Sequence, residues 1–187
     1  YDSSNTTANW GMAIVSDRLG EDEDAKRYYE KTLGLQPNAA IYNSYAAFLC
    51  KEGDVERAVR YFERSASDER YPGRADAMAN AGLCLHRAGQ AQPAEQHYRQ
   101  ALAMDSTQLT ALTGMSRLQF EQGDFLRARA FNERADGVAQ LDADQLLLAA
   151  RIELALGDRD AAAAYLERHN AREPSATLSL RQLEQSR

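Results

Sequence analysis

The sequence predicts an all-α protein built as a solenoid of antiparallel helix pairs and closed by a C-terminal helix. Three observations carry that expectation. Alanine, leucine, glutamate, glutamine and arginine dominate while β-branched residues are scarce, a composition that favours helix. Glycines recur at Gly20, Gly53, Gly89, Gly123 and Gly157, with intervals of 33, 36, 34 and 34 residues. Other residue types hold fixed places around each glycine. A small residue stands seven places before it: Ala13, Ala46, Gly82, Ser116 and Ala150. An alanine stands five places after it: Ala25, Ala58, Ala94, Ala128 and Ala162.

Each element follows from that register. Small residues on two helices let their backbones approach, so the place before the glycine and the alanine after it read as facing partners within one pair. Four places beyond the alanine lies a larger or polar side chain, at Tyr29, Phe62, Tyr98, Asn132 and Leu166. Three further on come Thr32, Ser65, Ala101, Ala135 and His169. The glycine ends the first helix in a left-handed conformation, and in the steps Gly53-Asp54, Gly123-Asp124 and Gly157-Asp158 the aspartate caps the second. Pro37 and Pro174 close the second helix of their pairs. The pairs span about 6–38, 39–74, 75–108, 109–142 and 143–176, read as one solenoid over 1–187. The segment SATLSLRQLEQ carries Leu178, Leu180 and Leu183 and reads as a terminal helix over about 175–185, covering the end of the stack. The longest glycine interval contains the Tyr71-Pro72 step. Two extra residues lengthen this joint, and Pro72 disfavours helix at Tyr71, so an extended, projecting elbow is expected.

A period of 34 residues with small, aromatic, alanine and proline positions resembles the tetratricopeptide repeat. The likeness covers about residues 6–174 as five units, and it implies a right-handed superhelix. The first unit is weak at its aromatic place, with Trp10 one position off, and YDSSNTTA ahead of it is polar and at best cap-like. A further repeat upstream is expected. The sequence starts at Tyr1 without a methionine and reads as a processed or trimmed product, so any signal peptide or lipid-bearing cysteine lies upstream.

Composition and motifs narrow the function classes. Net charge is −6 and no long basic run exists, which argues against nucleic acid as partner. No apolar run approaches the roughly 20 residues that span a bilayer. His86, His97 and His169 form no i, i+4 pair with a third ligand, and no nucleophile elbow, P-loop or dinucleotide fingerprint occurs. The reading is therefore a non-enzyme without metal or cofactor.

A helical-repeat solenoid binds peptides, strands or helices on the face made by the first helices. In tetratricopeptide repeats the lining places fall near positions 2, 5, 9 and 12 or 13 of each unit. Carried onto this chain, they give Trp10 and Ile14, then Asn43, Ala47 and Cys50, then Ala79, Asn80, Leu83 and His86. The later units give Thr113, Arg117 and Phe120, then Leu147, Arg151 and Leu154. Apolar anchors mixed with asparagines suit a peptide backbone with apolar side chains, since an asparagine amide matches both N–H and C=O. A clamp for a chaperone's C-terminal carboxylate needs lysines, but the corresponding places hold Trp10, Ile14, Ser44, Asp76 and Asn80.

The lengthened joint is the most distinctive text. Ala66-Ser67 running into Tyr71-Pro72-Gly73-Arg74, then Asn80-Ala81-Gly82-Leu83, resembles the type IV pilus biogenesis pilotin family. So do Asn43-Ser44-Tyr45-Ala46-Ala47-Phe48-Leu49, Gln145-Leu146-Leu147-Leu148-Ala149 and Gly157-Asp158-Arg159-Asp160-Ala161-Ala162. These are tetratricopeptide-repeat lipoproteins of the outer membrane. The resemblance implies a non-catalytic protein at the periplasmic face of that membrane. It implies a lipid anchor outside this chain and, as partner, the secretin of the type IV pilus, which it would help to localise and assemble. The alternative is a general repeat scaffold that binds a peptide in another assembly.

A periplasmic setting changes the reading of the two cysteines. Cys50 ends the first helix of the second unit, and Cys84 lies on the first helix of the third. Adjacent helices pack roughly 8–10 Å apart, and an oxidising compartment permits a bridge. Two buried thiols are the alternative.

Overall fold

A computed structural model describes residues 5–185. Tyr1 to Ser4, the start of the polar N-terminal stretch, lie outside the described residues. Two compact units divide the chain, Tyr1–Asp105 and Ser106–Arg187. Among the described residues every regular element is helical.

The first unit holds three antiparallel pairs: α1 (Thr6–Leu19) with α2 (Asp22–Leu33), α3 (Ala39–Lys51) with α4 (Val55–Ala66), and α5 (Arg74–Arg87) with α6 (Ala91–Met104). The second holds α7 (Leu109–Glu121) with α8 (Phe125–Val138), and α9 (Ala143–Leu156) with α10 (Arg159–Arg172). A 3₁₀ turn (Pro174–Ala176) and α11 (Leu180–Gln185) follow. All five recurring glycines adopt φ between +74° and +84°, the left-handed region. There the backbone reverses between helices at no steric cost to a residue without Cβ. Aspartate caps the second helix where the step is Gly-Asp: the Asp54, Asp124 and Asp158 carboxylates accept from the N–H groups of Arg57, Arg127 and Ala161 at 3.3, 3.1 and 3.0 Å.

Within each pair the repeated small residues form the core. Ala13, Ala46, Ala150 and all five alanines that follow the glycines are fully buried. At the third pair Gly82 lies so close to the Tyr98 ring that a Cβ there would stand 2.7 Å from Cδ1. Larger side chains fill the spaces between pairs. Tyr29 of α2 meets Tyr45 and Phe48 of α3 with ring centroids 5.3 and 5.4 Å apart. The small polar residues bond to backbone: Ser65 Oγ donates to the Ala39 carbonyl at 2.7 Å, and Ser116 Oγ to the Ala128 carbonyl at 3.0 Å.

Two local expectations are corrected. The 67–73 joint is a pair of turns and not an extended projecting arm. The Tyr71 N–H donates to the Asp68 carbonyl at 2.9 Å, and the Tyr71 ring folds back over Gly73. A Cβ at Gly73 would lie 2.6 Å from Tyr71 Cζ, so the bare glycine lets the ring dock. Arg74 Nε then ties the joint to the Ala66 carbonyl at 2.7 Å. At the C-terminus, helix does not run through 175–185. Residues 177–179 are non-helical and α11 keeps only six residues, because the Asn170 side chain binds both backbone groups of Leu178.

Candidate functional site

The first helices lie side by side within each unit: α1 against α3 and α3 against α5, and separately α7 against α9. Their spacing repeats because a glycine turn and a second helix of 12 or 14 residues separate each first helix from the next. Residues in the same register therefore come round to the same face of successive helices.

In the first unit this face carries Trp10 and Ile14 from α1, Asn43 and Ala47 from α3, and Asn80, Leu83 and His86 from α5. Ala47 is exposed and the other six are half-buried. Ala79 is fully buried and is part of the core, so it offers a ligand nothing. The His86 ring stands edge-on to Tyr98, with centroids 6.3 Å apart. Two polar atoms on this face are buried without a hydrogen-bond partner: the Trp10 indole Nε1 and the Asn43 carbonyl Oδ1. They occupy the same register place on α1 and α3, 33 residues apart. One is a donor and the other an acceptor, the complement of the C=O and N–H of an extended backbone. An unmet buried polar group costs about 1–3 kcal/mol.

Charge ties the first two helix pairs together. Lys51 Nζ bridges Asp22 at 2.8 Å and Asp17 at 3.0 Å, and the hydrogen bonds to these carboxylates raise its pKa. Cys50 of α3 and Cys84 of α5 are joined as a disulfide with Cα atoms 5.8 Å apart. It links two of the helices that form the face.

In the second unit Arg117 is exposed, while Thr113, Phe120, Leu147 and Arg151 are half-buried. Several of these are committed to the fold. Thr113 Oγ1 donates to the Leu109 carbonyl at 3.0 Å. Phe120 tilts against Phe125 at 5.5 Å and packs on the cluster of Ala128, Leu148 and Ile152. Leu154 is buried with Ala150, Ala162 and Leu166 beneath α11. Trp10, Ile14, Asn43, Asn80 and Leu83 therefore make up most of the half-buried face in the first unit, and Arg117 and Arg151 remain in the second.

Other features escaped the sequence reading. Tyr42 stacks on Tyr61 at 5.9 Å with the Arg64 guanidinium 4.3 Å over the Tyr42 ring. Arg57 donates to the Tyr45 hydroxyl at 2.7 Å; burial raises the pKa of that phenol and Arg57 opposes the shift. Arg129 of α8 pairs with the buried carboxylate of Glu153 on α9. The residues of each pair come from separate helices, and no periodic signal in the sequence joins them. Among the described residues no group of three or more His, Cys, Asp or Glu is placed to hold a metal ion. No described helix is long and apolar enough to cross a membrane.

Stacked helix pairs with an apolar, asparagine-bearing face define a helical-repeat protein of the interaction type. Residues 37–107 match the tetratricopeptide repeat model. The chain is 28% identical over 166 residues to the type IV pilus assembly protein PilF of Pseudomonas aeruginosa, covering 88% of this chain and 66% of that protein's length. The crystal structure of PilW, a type IV pilus biogenesis factor, superposes with a TM-score of 0.83 at 26% identity, covering 99% of this chain and 84% of that one. A solved structure of Pseudomonas aeruginosa PilF gives 0.82 at 25% identity, covering 94% of this chain and 79% of that one. The chain is a tetratricopeptide-repeat protein homologous to PilF and related in structure to PilW, both proteins of type IV pilus biogenesis.

Proposed function

We propose that this chain is a non-catalytic pilotin: it binds a segment of the type IV pilus secretin and promotes the secretin's localisation to the outer membrane and its assembly into a multimer. The observation that carries this reading is the likeness to PilF and PilW, which runs over nearly the whole chain. The face of α1, α3 and α5 is the binding surface. Trp10, Ile14 and Leu83 take apolar side chains of an extended segment, and Asn43 and Asn80 pair with its backbone. Arg117 and Arg151 are the candidate contacts on the corresponding face of the second unit. The protein works at the periplasmic face of the outer membrane, held by a lipid anchor outside this chain. One acyl chain binds membranes only marginally, so sorting machinery contributes to targeting. A Cys50–Cys84 disulfide agrees with an oxidising compartment.

The test is secretin assembly in cells lacking the gene. The wild-type gene restores secretin multimers in the outer-membrane fraction, and a Trp10→Ala, Asn80→Ala, Leu83→Asp variant of equal abundance does not. Multimers that form equally without the gene would sink the proposal. Multimers restored in full by the triple variant would remove the face and leave the relationship to PilF standing.

A further inference from the structure

The face of α1, α3 and α5 is not level. Ile14, Ala47 and Leu83 stand at one register place, each the same distance before its glycine, Gly20, Gly53 or Gly89. They therefore form a row across three helices that lie side by side. Ile14 and Leu83 carry branched side chains and are half-buried, while Ala47 between them stops at Cβ and is exposed. A large, small, large order leaves a notch over Ala47. Its surroundings do not fill it. On α1, Gly11 has no side chain, and a Cβ there would meet nothing within 4 Å. On α3, Ser44 turns its hydroxyl back to the Ala40 carbonyl at 3.0 Å.

The fold does not require this row to be apolar. In the second unit the same register place holds Arg117 and Arg151. In the first unit the row holds no charge, although 27% of the chain is charged. Four residues further along each helix the row is basic throughout, at Arg18, Lys51 and Arg87. The notch is thus an apolar feature with a charged boundary, which suits an uncharged side chain. Its distance from the polar row sets the size of that side chain. Asn43 stands one helical turn before Ala47, so their Cβ atoms are about 5–6 Å apart. A backbone lying along the Trp10–Asn43 row reaches the notch through a long side chain and not through alanine or valine.

We propose that Ala47 determines specificity on this face: the notch over it receives one large apolar side chain of the bound segment, of leucine, methionine or phenylalanine size. This rests on the reading of the chain as a secretin-binding pilotin and adds what the secretin segment must bring. A longer side chain at Ala47 occupies the space and excludes the segment, whether that side chain is apolar or polar.

The experiment measures binding of the full chain to the purified periplasmic region of the type IV pilus secretin by titration calorimetry. Ala47→Leu and Ala47→Gln each weaken binding by at least about tenfold, and Ala47→Ser, which keeps the notch, stays within about threefold of wild type. Leucine and glutamine are good helix formers at an exposed site, so the urea midpoints of these variants match that of wild type, and a lowered midpoint in both would place Ala47 in the fold and overturn the proposal. Binding by Ala47→Leu or Ala47→Gln as tight as that of wild type overturns it, as does a loss in Ala47→Ser equal to theirs. If Leu83→Asp abolishes binding while Ala47→Leu leaves it unchanged, the notch is overturned and the face stands. If the wild-type chain does not bind the secretin region at all, the pilotin reading falls and takes the notch with it.

Discussion

Cys50 and Cys84 stand 34 residues apart and are joined between α3 and α5, tying two neighbouring first helices directly to each other. The bond closes a loop that contains α4 and the Tyr71-Pro72 joint, the longest irregular link in the first unit. By loop-closure entropy a ring of this size stabilises by roughly 3–4 kcal/mol. Cys50→Ser with Cys84→Ser lowers the urea midpoint accordingly, and reduction of the wild type reproduces the shift. Thiol titration of denatured, non-reduced protein finds no free thiol. Two titrating thiols would contradict the linkage.

Gly82 and Gly11 both sit in first helices, yet alanine has opposite effects there. At Gly82 a Cβ would lie 2.7 and 2.8 Å from the fully buried Tyr98 ring and 3.1 Å from the Ala94 carbonyl. Gly82→Ala therefore destabilises by about 1–3 kcal/mol through overpacking. At Gly11 nothing lies within 4 Å, so Gly11→Ala stabilises by up to about 1 kcal/mol through helix propensity. Thermal unfolding of the two variants separates packing from propensity, and shifts of the same sign would contradict the helix contact described.

Glu153 keeps a side chain 5% exposed and is held by Arg129 from the neighbouring helix pair. Arg129→Ala leaves the carboxylate buried without its cation and costs about 3–5 kcal/mol. Arg129→Met with Glu153→Leu recovers most of that loss, because two apolar side chains leave no charge behind. A double-mutant cycle by urea unfolding measures the coupling. Additive losses would show that the pair acts as two independent surface charges.

What the sequence disclosed follows from what repeats. Helix pairs, glycine turns and aspartate caps recur at fixed spacing, so the register alone located Ala25, Ala58 and their counterparts in the core. The same register set Trp10, Asn43 and Leu83 at equivalent places on the first helices, where the structure has them half-buried. Ala79 and Leu154 were misplaced because one register position can face a ligand or a neighbouring helix, depending on local twist. The Tyr71 fold-back was hidden because it depends on Gly73 giving the ring room, a contact within a non-repeating joint. Asn170 with Leu178, and Arg129 with Glu153, join helices through single side chains and leave no periodic trace.

Tyr29 sets an alkaline limit to stability. Burial, with a smaller contribution from the Asp17 charge, pushes its phenol up to about 12, against about 10 in an unfolded chain. The fold favours the protonated phenol, so its contribution is full below about pH 10 and is lost as pH rises towards about 12. The urea midpoint falls across that window in wild type and falls less in Tyr29→Phe. A wild-type midpoint that held steady through the window would contradict the burial of this hydroxyl.

Under the proposed function, the face of α1, α3 and α5 receives the secretin of the type IV pilus. Hydrogen exchange of the full chain, with and without the purified periplasmic region of the secretin, tests it most directly. Protection gained along α1, α3 and α5, and lost together with binding in Leu83→Asp, is the predicted result. Binding that leaves those three helices unchanged and protects only other surfaces would contradict it.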